Sequence, residues 1–173
     1  MFGWTIPREE QNYSVLTEQE KSYIAGFLDG DGCIMFQLIR RKDYRYGYQI
    51  RASVVFYQKT IHADHLLWLQ NKFNGIGYFR NRNDGMSEYT IVGITDVITV
   101  LKLLKPYIRL KRKHIIVAFK IAKLLPRYKR LDDKLLLRVS QLVDSFGSLN
   151  YSKRRRNTTT ELKAFLNAVP RND

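Results

Sequence analysis

The stretch Tyr23-Ile-Ala-Gly-Phe-Leu-Asp-Gly-Asp-Gly32 places two acidic residues where a predicted helix ends. The C-terminus of a helix carries a partial negative charge, so each carboxylate there is unfavourable by a few tenths to about 1 kcal/mol. Asp29 and Asp31 are two residues apart, and residues at that spacing on a helix point to different sides. At most one of them can therefore reach a given cation. The glycine after each acid is expected to end the helix near Asp29.

Small residues line one side of this predicted helix, which begins at the capping box Thr17-Glu-Gln-Glu20. Small side chains allow two helix backbones to approach closely. Because the stretch occurs only once in the chain, we predict a homodimer in which two such helices pack about a two-fold axis. One carboxylate from each chain would then converge beside bound metal cations. The predicted interface residues are Ser22, Ala25, Gly26, Asp29 and Gly30.

The charge of the chain indicates a nucleic-acid partner. The chain has thirty Lys and Arg residues and sixteen Asp and Glu residues, which gives a net charge of +14 and a pI near 10.0. Such an excess on 173 residues is the usual electrostatic footprint of phosphate binding. No apolar run approaches the roughly 20 residues that span a bilayer. A single cysteine, Cys33, fits a reducing compartment. We therefore expect a soluble, intracellular protein with no membrane partner and no small-molecule substrate.

The pattern of apolar residues predicts an α+β fold. Two strand candidates follow the first helix, with Ile34, Phe36 and Leu38 on one face of the first and Ile50, Ala52, Val54 and Phe56 on one face of the second. A helix over 61–73 and a second hairpin over 78–92 come next. The order predicts an antiparallel four-stranded sheet with helices on one face.

Three more helices are predicted before the C-terminal segment. The first is capped at Thr95-Asp96, the second covers 113–125, and the third runs from Leu131 to Phe146 and stops at Gly147. We predict an N-terminal arm over 1–16 and a single domain over 17–173, whose basic loop and short helix occupy about 147–169.

The uncovered sheet face is predicted to be rich in arginine and amide side chains. Its polar members are Gln37, Arg41, Gln49, Arg51, Arg80, Arg82 and Glu88. Guanidinium and amide groups pair bidentately with guanine and adenine in the major groove. An ordinary solvated sheet face is the alternative, although such faces usually carry more Lys and Glu.

The opening stretch closely resembles the signature of the LAGLIDADG homing endonucleases. Further residues resemble the family in the expected order over roughly 13–169: Tyr44, Gln49, Gln58-Lys59-Thr60, Gly75-Ile-Gly-Tyr78, Arg80, Arg82, Lys111, Lys113 and Ser152 to Thr159. The chain looks like the single-motif, homodimeric branch encoded within group I introns.

The resemblance implies a saddle of αββαββα subunits that bind double-stranded DNA and cut both strands of a long pseudo-palindromic site with Mg²⁺. It implies that Asp31 binds the metal with the carbonyl of Gly30, that Gln58 positions the attacking water, and that Lys111 stabilises charge near the phosphate. The predicted DNA-contacting residues are Met35, Gln37, Ile39, Arg41, Tyr44, Gln49, Arg51, Ser53, Arg80, Arg82, Glu88 and Thr90, with Lys153, Arg154, Arg155 and Arg156 on the backbone phosphates.

Several alternatives stay open at this point. A non-catalytic nucleic-acid binder of the same fold, such as an intron-splicing maturase or a regulator, would not need Asp31, Gln58 and Lys111 together. Asp31 alone is compatible with a turn, and Lys111 with one of several phosphate contacts. His62 and His65 have a spacing compatible with zinc ligands, but also with surface residues of a helix. The expected location is a chloroplast, a mitochondrion or the bacterial cytoplasm.

Overall fold

A computed structural model describes residues 16–44, 46–125, 131–151 and 157–168. The elements are α1 (Glu18–Asp31), β1 (Gly32–Arg40), β2 (Tyr48–Lys59), a 3-10 turn (Thr60–His62), α2 (Ala63–Lys72), β3 (Tyr78–Asn81), β4 (Met86–Val92), α3 (Ile94–Leu104), α4 (Arg112–Leu124), α5 (Asp133–Leu149) and α6 (Thr159–Ala168). The predicted order αββαββα is confirmed, and three helices follow it. None of the helices in these ranges has the length and apolarity needed to cross a membrane.

The four strands form one antiparallel sheet in the order β1-β2-β4-β3. Gly32 pairs with Phe56 at one end of the β1–β2 ladder, and Arg40 pairs with Tyr48 at the other. Alternate β1 residues Ile34, Phe36 and Leu38 are buried in the core. The helices pack on this apolar face because only that face of the sheet needs to be removed from water. The prediction of helices on one side is confirmed.

Helix α1 begins as predicted but ends later. The Thr17 hydroxyl accepts from the N–H of Glu20 at 3.2 Å, and the Glu20 carboxylate accepts from the N–H of Thr17 at 3.0 Å. The expected break near Asp29 is wrong, since the helix runs through Asp31 and Gly32 caps it. Gly32 has extended backbone angles, so the chain passes directly from helix to strand without a left-handed residue.

Two other helix boundaries differ from the predictions. Helix α3 starts at Ile94 with Gly93 as its N-cap, so Thr95 and Asp96 lie in its first turn. Helix α5 continues through Gly147 to Leu149. Phe146 next to that glycine is fully buried, and packing of this kind overrides the weak helix propensity of a single glycine. Leu16, assigned to the N-terminal arm, is buried in the core.

The free edge of β1 is covered by the C-terminal part of the chain. The side-chain amide of Asn150 donates to the carbonyl of Ile34 at 2.9 Å, and that of Asn157 donates to the carbonyl of Leu38 at 3.0 Å. These bonds satisfy edge carbonyls that would otherwise invite another strand. They also hold both ends of segment 150–157 beside the sheet.

Candidate functional site

The two acidic residues of α1 have different environments. Asp29 is only 9% exposed. Its Oδ2 atom accepts from the backbone N–H groups of Arg109 at 2.6 Å and Leu110 at 3.1 Å, and its Oδ1 atom accepts from that of Lys111 at 3.0 Å. Asp31 is exposed at the last helical position. The expectation that they point to different sides is confirmed.

Lys111 lies against the end of the same helix. Its Nζ atom donates to the backbone carbonyl of Asp29 at 2.6 Å. A cation is favourable there because the last carbonyls of a helix carry partial negative charge. The ammonium group of Lys111 therefore lies against the last turn of α1, the turn that also carries Asp31.

Gln58 is near the same end of the sheet. It follows Phe56, the partner of Gly32, by two residues along β2. This part of β2 therefore lies beside the last turn of α1, which leads directly into Gly32. The Oε1 atom of Gln58 accepts from the N–H of Lys59 at 2.9 Å. Gln58 therefore lies at the end of β2 that is paired with the start of β1.

The oxygen atoms at this junction suit a hard divalent cation. Mg²⁺ and Ca²⁺ prefer carboxylate and carbonyl oxygens, which Asp31 and Gly30 provide. No group of three or more His, Cys, Asp or Glu side chains within the described ranges could hold a metal ion.

His65 belongs to an aromatic cluster instead of a zinc site. Its ring stacks on Trp68 at 5.3 Å between centroids and lies 4.9 Å from the ring of Phe27. Its Nε2 atom is 3.3 Å from the hydroxyl of Tyr23. Burial lowers the pKa of His65.

The strand register confirms which residues share the outward sheet face. Gln37 is opposite Arg51, Ile39 is opposite Gln49, and Met35 is opposite Ser53. On the other hairpin, Arg80 is opposite Glu88 and Tyr78 is opposite Thr90. Arg41 and Tyr44 follow β1 in the exposed β1–β2 connection.

Acidic neighbours hold three arginines of this face. Arg41 makes two hydrogen bonds of 3.0 Å to Asp43, and this guanidinium lowers the pKa of the Asp43 carboxyl. Arg80 pairs with Glu88 at 2.8 Å, and Arg82 pairs with Asp84 at 2.7 Å. Bidentate and paired contacts of this kind orient guanidinium groups before they meet a ligand.

Three predicted DNA contacts are buried. Ser53 and Thr90 are each 3% exposed, and Glu88 is buried as well. Ser53 lies between Met35 and Val92 on the neighbouring strands. Because Ser53 and Thr90 are buried, they are left out of the DNA contacts proposed below. Glu88 instead holds Arg80.

The residues of the predicted dimer surface differ in exposure. Ser22, Gly26 and Gly30 are exposed, whereas Ala25 is 0% exposed and Asp29 is engaged within its own chain. Among the described residues, a Cβ atom built on Gly26 or on Gly30 would meet nothing within 4 Å.

One residue of the site, Cys33, was not predicted from the sequence, and four predicted residues lie outside the described part of the chain. Burial raises the pKa of the Cys33 thiol, while the charge of Lys111 opposes that shift, so Cys33 borders the site. Alternation places Cys33 on the outward face, but no sequence signal connects it to Lys111. Lys153, Arg154, Arg155 and Arg156 lie outside the described residues, between the two anchored asparagines.

Comparison with known proteins gives consistent matches. A family model described as LAGLIDADG endonuclease matches residues 24–124. The DNA endonuclease I-CvuI of Chlorella vulgaris is 42% identical over 78% of this chain and 81% of its own length. The DNA endonuclease I-CreI of Chlamydomonas reinhardtii is 34% identical over 85% of this chain and 88% of its own length.

Solved structures agree with these matches. A crystal structure of I-CvuI in complex with its target in the presence of Ca has a TM-score of 0.80 and 38% identity, and the match covers 86% of this chain and 93% of that one. The archaeal intron-encoded I-Vdi141I complexed with DNA has a TM-score of 0.73 at 16% identity. The second similarity shows the shared fold alone.

Proposed function

The chain belongs to the LAGLIDADG endonuclease family, and we propose that it is a homing endonuclease that cleaves both strands of a long pseudo-palindromic DNA site as a homodimer. The observation that carries the proposal is the hydrogen bond from Nζ of Lys111 to the backbone carbonyl of Asp29 in the last turn of α1, the turn that also carries Asp31. An exposed carboxylate and an ammonium group lie at one helix end, beside a sheet face that bears arginine and glutamine. This combination is suited to binding DNA and hydrolysing a phosphodiester bond. The similar I-CvuI was crystallised with DNA.

The glycines of α1 support a homodimer. A glycine inside a helix is less stable than alanine by about 0.5–1 kcal/mol, and none of the described residues occupies the space above Gly26 or Gly30. A second α1 helix packed against this surface explains why small residues are present. The exposed ring of Tyr23 adds apolar area beside the glycines. With two chains, two copies of Asp31 converge.

A divalent cation, proposed as Mg²⁺, would be held by Asp31 and the carbonyl of Gly30. When bound, it supplies positive charge for the phosphate and an activated water molecule. In the proposed mechanism, the carboxamide of Gln58 orients the attacking water. The ammonium group of Lys111 stabilises the negative charge that develops on the phosphate oxygens.

The outward sheet face is proposed to read bases in the major groove. The contacts on this face are Met35, Gln37, Ile39, Arg41, Tyr44, Gln49, Arg51, Arg80 and Arg82, with Glu88 orienting Arg80. The segment Lys153 to Arg156 is proposed to bind backbone phosphates. The residues on either side of this segment, Asn150 and Asn157, each donate a side-chain hydrogen bond to β1. The organelle or bacterial location stays a prediction.

A plasmid-cleavage assay tests the proposal. A plasmid library with randomised palindromic inserts is incubated with purified protein, with and without Mg²⁺, and linearised molecules are sequenced. We expect linear product from a defined site only with the cation. Asp31→Asn should remove cleavage of that site but retain binding, because one carboxylate near phosphate is removed while the sheet face is intact. Binding without cleavage by the wild-type protein would instead favour a maturase or regulator.

A further inference from the structure

We propose that Asp29 positions Lys111 for cleavage, a role that rests on the proposed function but is carried by its own contacts. The carboxylate of Asp29 accepts from three consecutive backbone N–H groups, those of Arg109, Leu110 and Lys111. The backbone carbonyl of the same residue accepts from Nζ of Lys111. One residue of α1 therefore holds both ends of the lysine, its main chain and its ammonium group.

Burial explains why the link is needed. Ile108 is buried, but Leu110 is 76% exposed and Arg109 is exposed as well. Packing therefore contributes little to fixing the segment 109–111. Charge-assisted hydrogen bonds to a carboxylate are about twice as strong as neutral ones, so Asp29 is the main constraint on the path of the chain into α4.

The link joins two parts of the proposed site that are distant in sequence. Asp31 is two residues from Asp29 on the same helix, whereas Lys111 lies at the start of α4. If α1 moves within a dimer, Asp29 carries the segment 109–111 with it. The separation between the carboxylate of Asp31 and the ammonium group of Lys111 is thereby preserved. Asp29 is a positioning residue, because it acts through Lys111 and does not itself face the outside.

Asp29→Asn tests the link in the metal-free protein. Asparagine has one acceptor oxygen in place of two, so it cannot accept from the N–H groups of Arg109 and Leu110 with one oxygen and from that of Lys111 with the other. We expect the amide protons of 109–111 to become less protected in hydrogen exchange. We also expect the amine of Lys111 to become more reactive toward an acetylating reagent. Asp96→Asn, which removes a carboxylate from the first turn of α3, is the matched control and should change neither measurement.

Single-turnover cleavage of a selected duplex then tests the consequence. Asp29→Asn should cleave about tenfold to a hundredfold more slowly, the scale of a small misplacement at a reacting centre, with unchanged DNA affinity in Ca²⁺. In a Lys111→Met background, the same Asp29 substitution should change the rate by less than about twofold. A general decrease in stability would instead slow both backgrounds alike. Partial recovery of the rate is expected with Asp29→Glu, which restores both acceptor oxygens.

Two results of the cleavage assay would overturn the inference. One is a wild-type cleavage rate in Asp29→Asn, and the other is a full multiplicative effect of the two substitutions. Unchanged exchange and acetylation in Asp29→Asn would also reject the link, whether or not the enzyme cuts. If the wild-type protein cleaved no DNA, the proposed function would fail, while the exchange and acetylation data would still decide whether Asp29 holds Lys111.

Discussion

At the scale of single residues, a buried histidine, His114, lies one helical turn after Lys111. This histidine lies on α4 and is buried, and its Nε2 atom is 2.9 Å from Oδ1 of Asn150. The side-chain amide of Asn150 in turn donates a hydrogen bond to the carbonyl of Ile34 on β1. The Nδ1 atom of His114 has no hydrogen-bond partner in the described part of the chain. Burial lowers the pKa of His114 below its ordinary value of 6.5.

This shift predicts acid sensitivity. Below about pH 6.5 the unfolded chain binds a proton that native His114 does not, so stability is complete above that pH and falls as pH approaches the lower native pKa. His114→Gln should show a smaller decrease in Tm between pH 7.5 and pH 5 than the wild type, by thermal unfolding. The exposed His62 offers the control His62→Gln, and an equal decrease in all three proteins would contradict the prediction.

Individual arginines are predicted to divide the recognition of DNA. Arg80→Ala or Arg51→Ala should relax base preference at one position of each half-site, by about 1–3 kcal/mol for each bidentate pairing with a base that is removed. Arg155→Ala should weaken binding to every sequence alike and flatten the salt dependence, as expected for a phosphate contact. Titrations of selected and scrambled duplexes at several salt concentrations measure both. A uniform weakening in all three variants would reject this division.

At the scale of secondary-structure elements, α1 combines three tasks on three sides. Ile24, Ala25 and Leu28 face the core, Asp29 holds the segment before α4, and Ser22, Gly26 and Gly30 remain exposed. A side chain at Gly26 would therefore contact none of the described residues of its own chain. A substitution there separates the stability of the chain from that of the dimer.

Gly26→Ala and Gly26→Leu are predicted to act on the dimer. The alanine should stabilise the isolated chain by about 0.5–1 kcal/mol, because it favours the helix. The leucine should push the two helices apart, since side chains at a crossing determine the interaxial distance. Sedimentation should show a monomer or a weakened dimer, with slow cleavage although Asp31 is intact. Gln141→Leu on α5 adds a comparable exposed leucine and should leave the dimer unchanged.

At the scale of the whole molecule, the proposed active centre belongs to two chains. In the proposed dimer, each chain would contribute one Asp31 to a shared cation region and one Lys111 to its own scissile phosphate. A single-chain tandem dimer with Lys111→Met in one half should therefore mainly nick one strand. Strand-specific end labels on a selected duplex measure the product. Equal cleavage of both strands at the unmodified rate would show that Lys111 is not catalytic, and a monomer that cuts both strands would reject the dimer.

Local sequence patterns determined the order of the elements and the two faces of the sheet. The alternation of Ile34, Phe36 and Leu38 is a property of neighbouring residues, so it could be predicted without knowing what packs on it. The stretch ending in Asp29 and Asp31 likewise indicated that the two carboxylates point apart, because the helical period alone sets their directions.

Only the tertiary structure decided which residues each side chain contacts. Ser53 and Thr90 are buried within the sheet, and Ala25 is buried in the core of its own chain. The partners of Asp29 begin 80 residues later in the chain. A periodic pattern reports the side of an element on which a residue lies. The residues that cover it depend on contacts between distant segments, which form only when the sheet and its helices pack together.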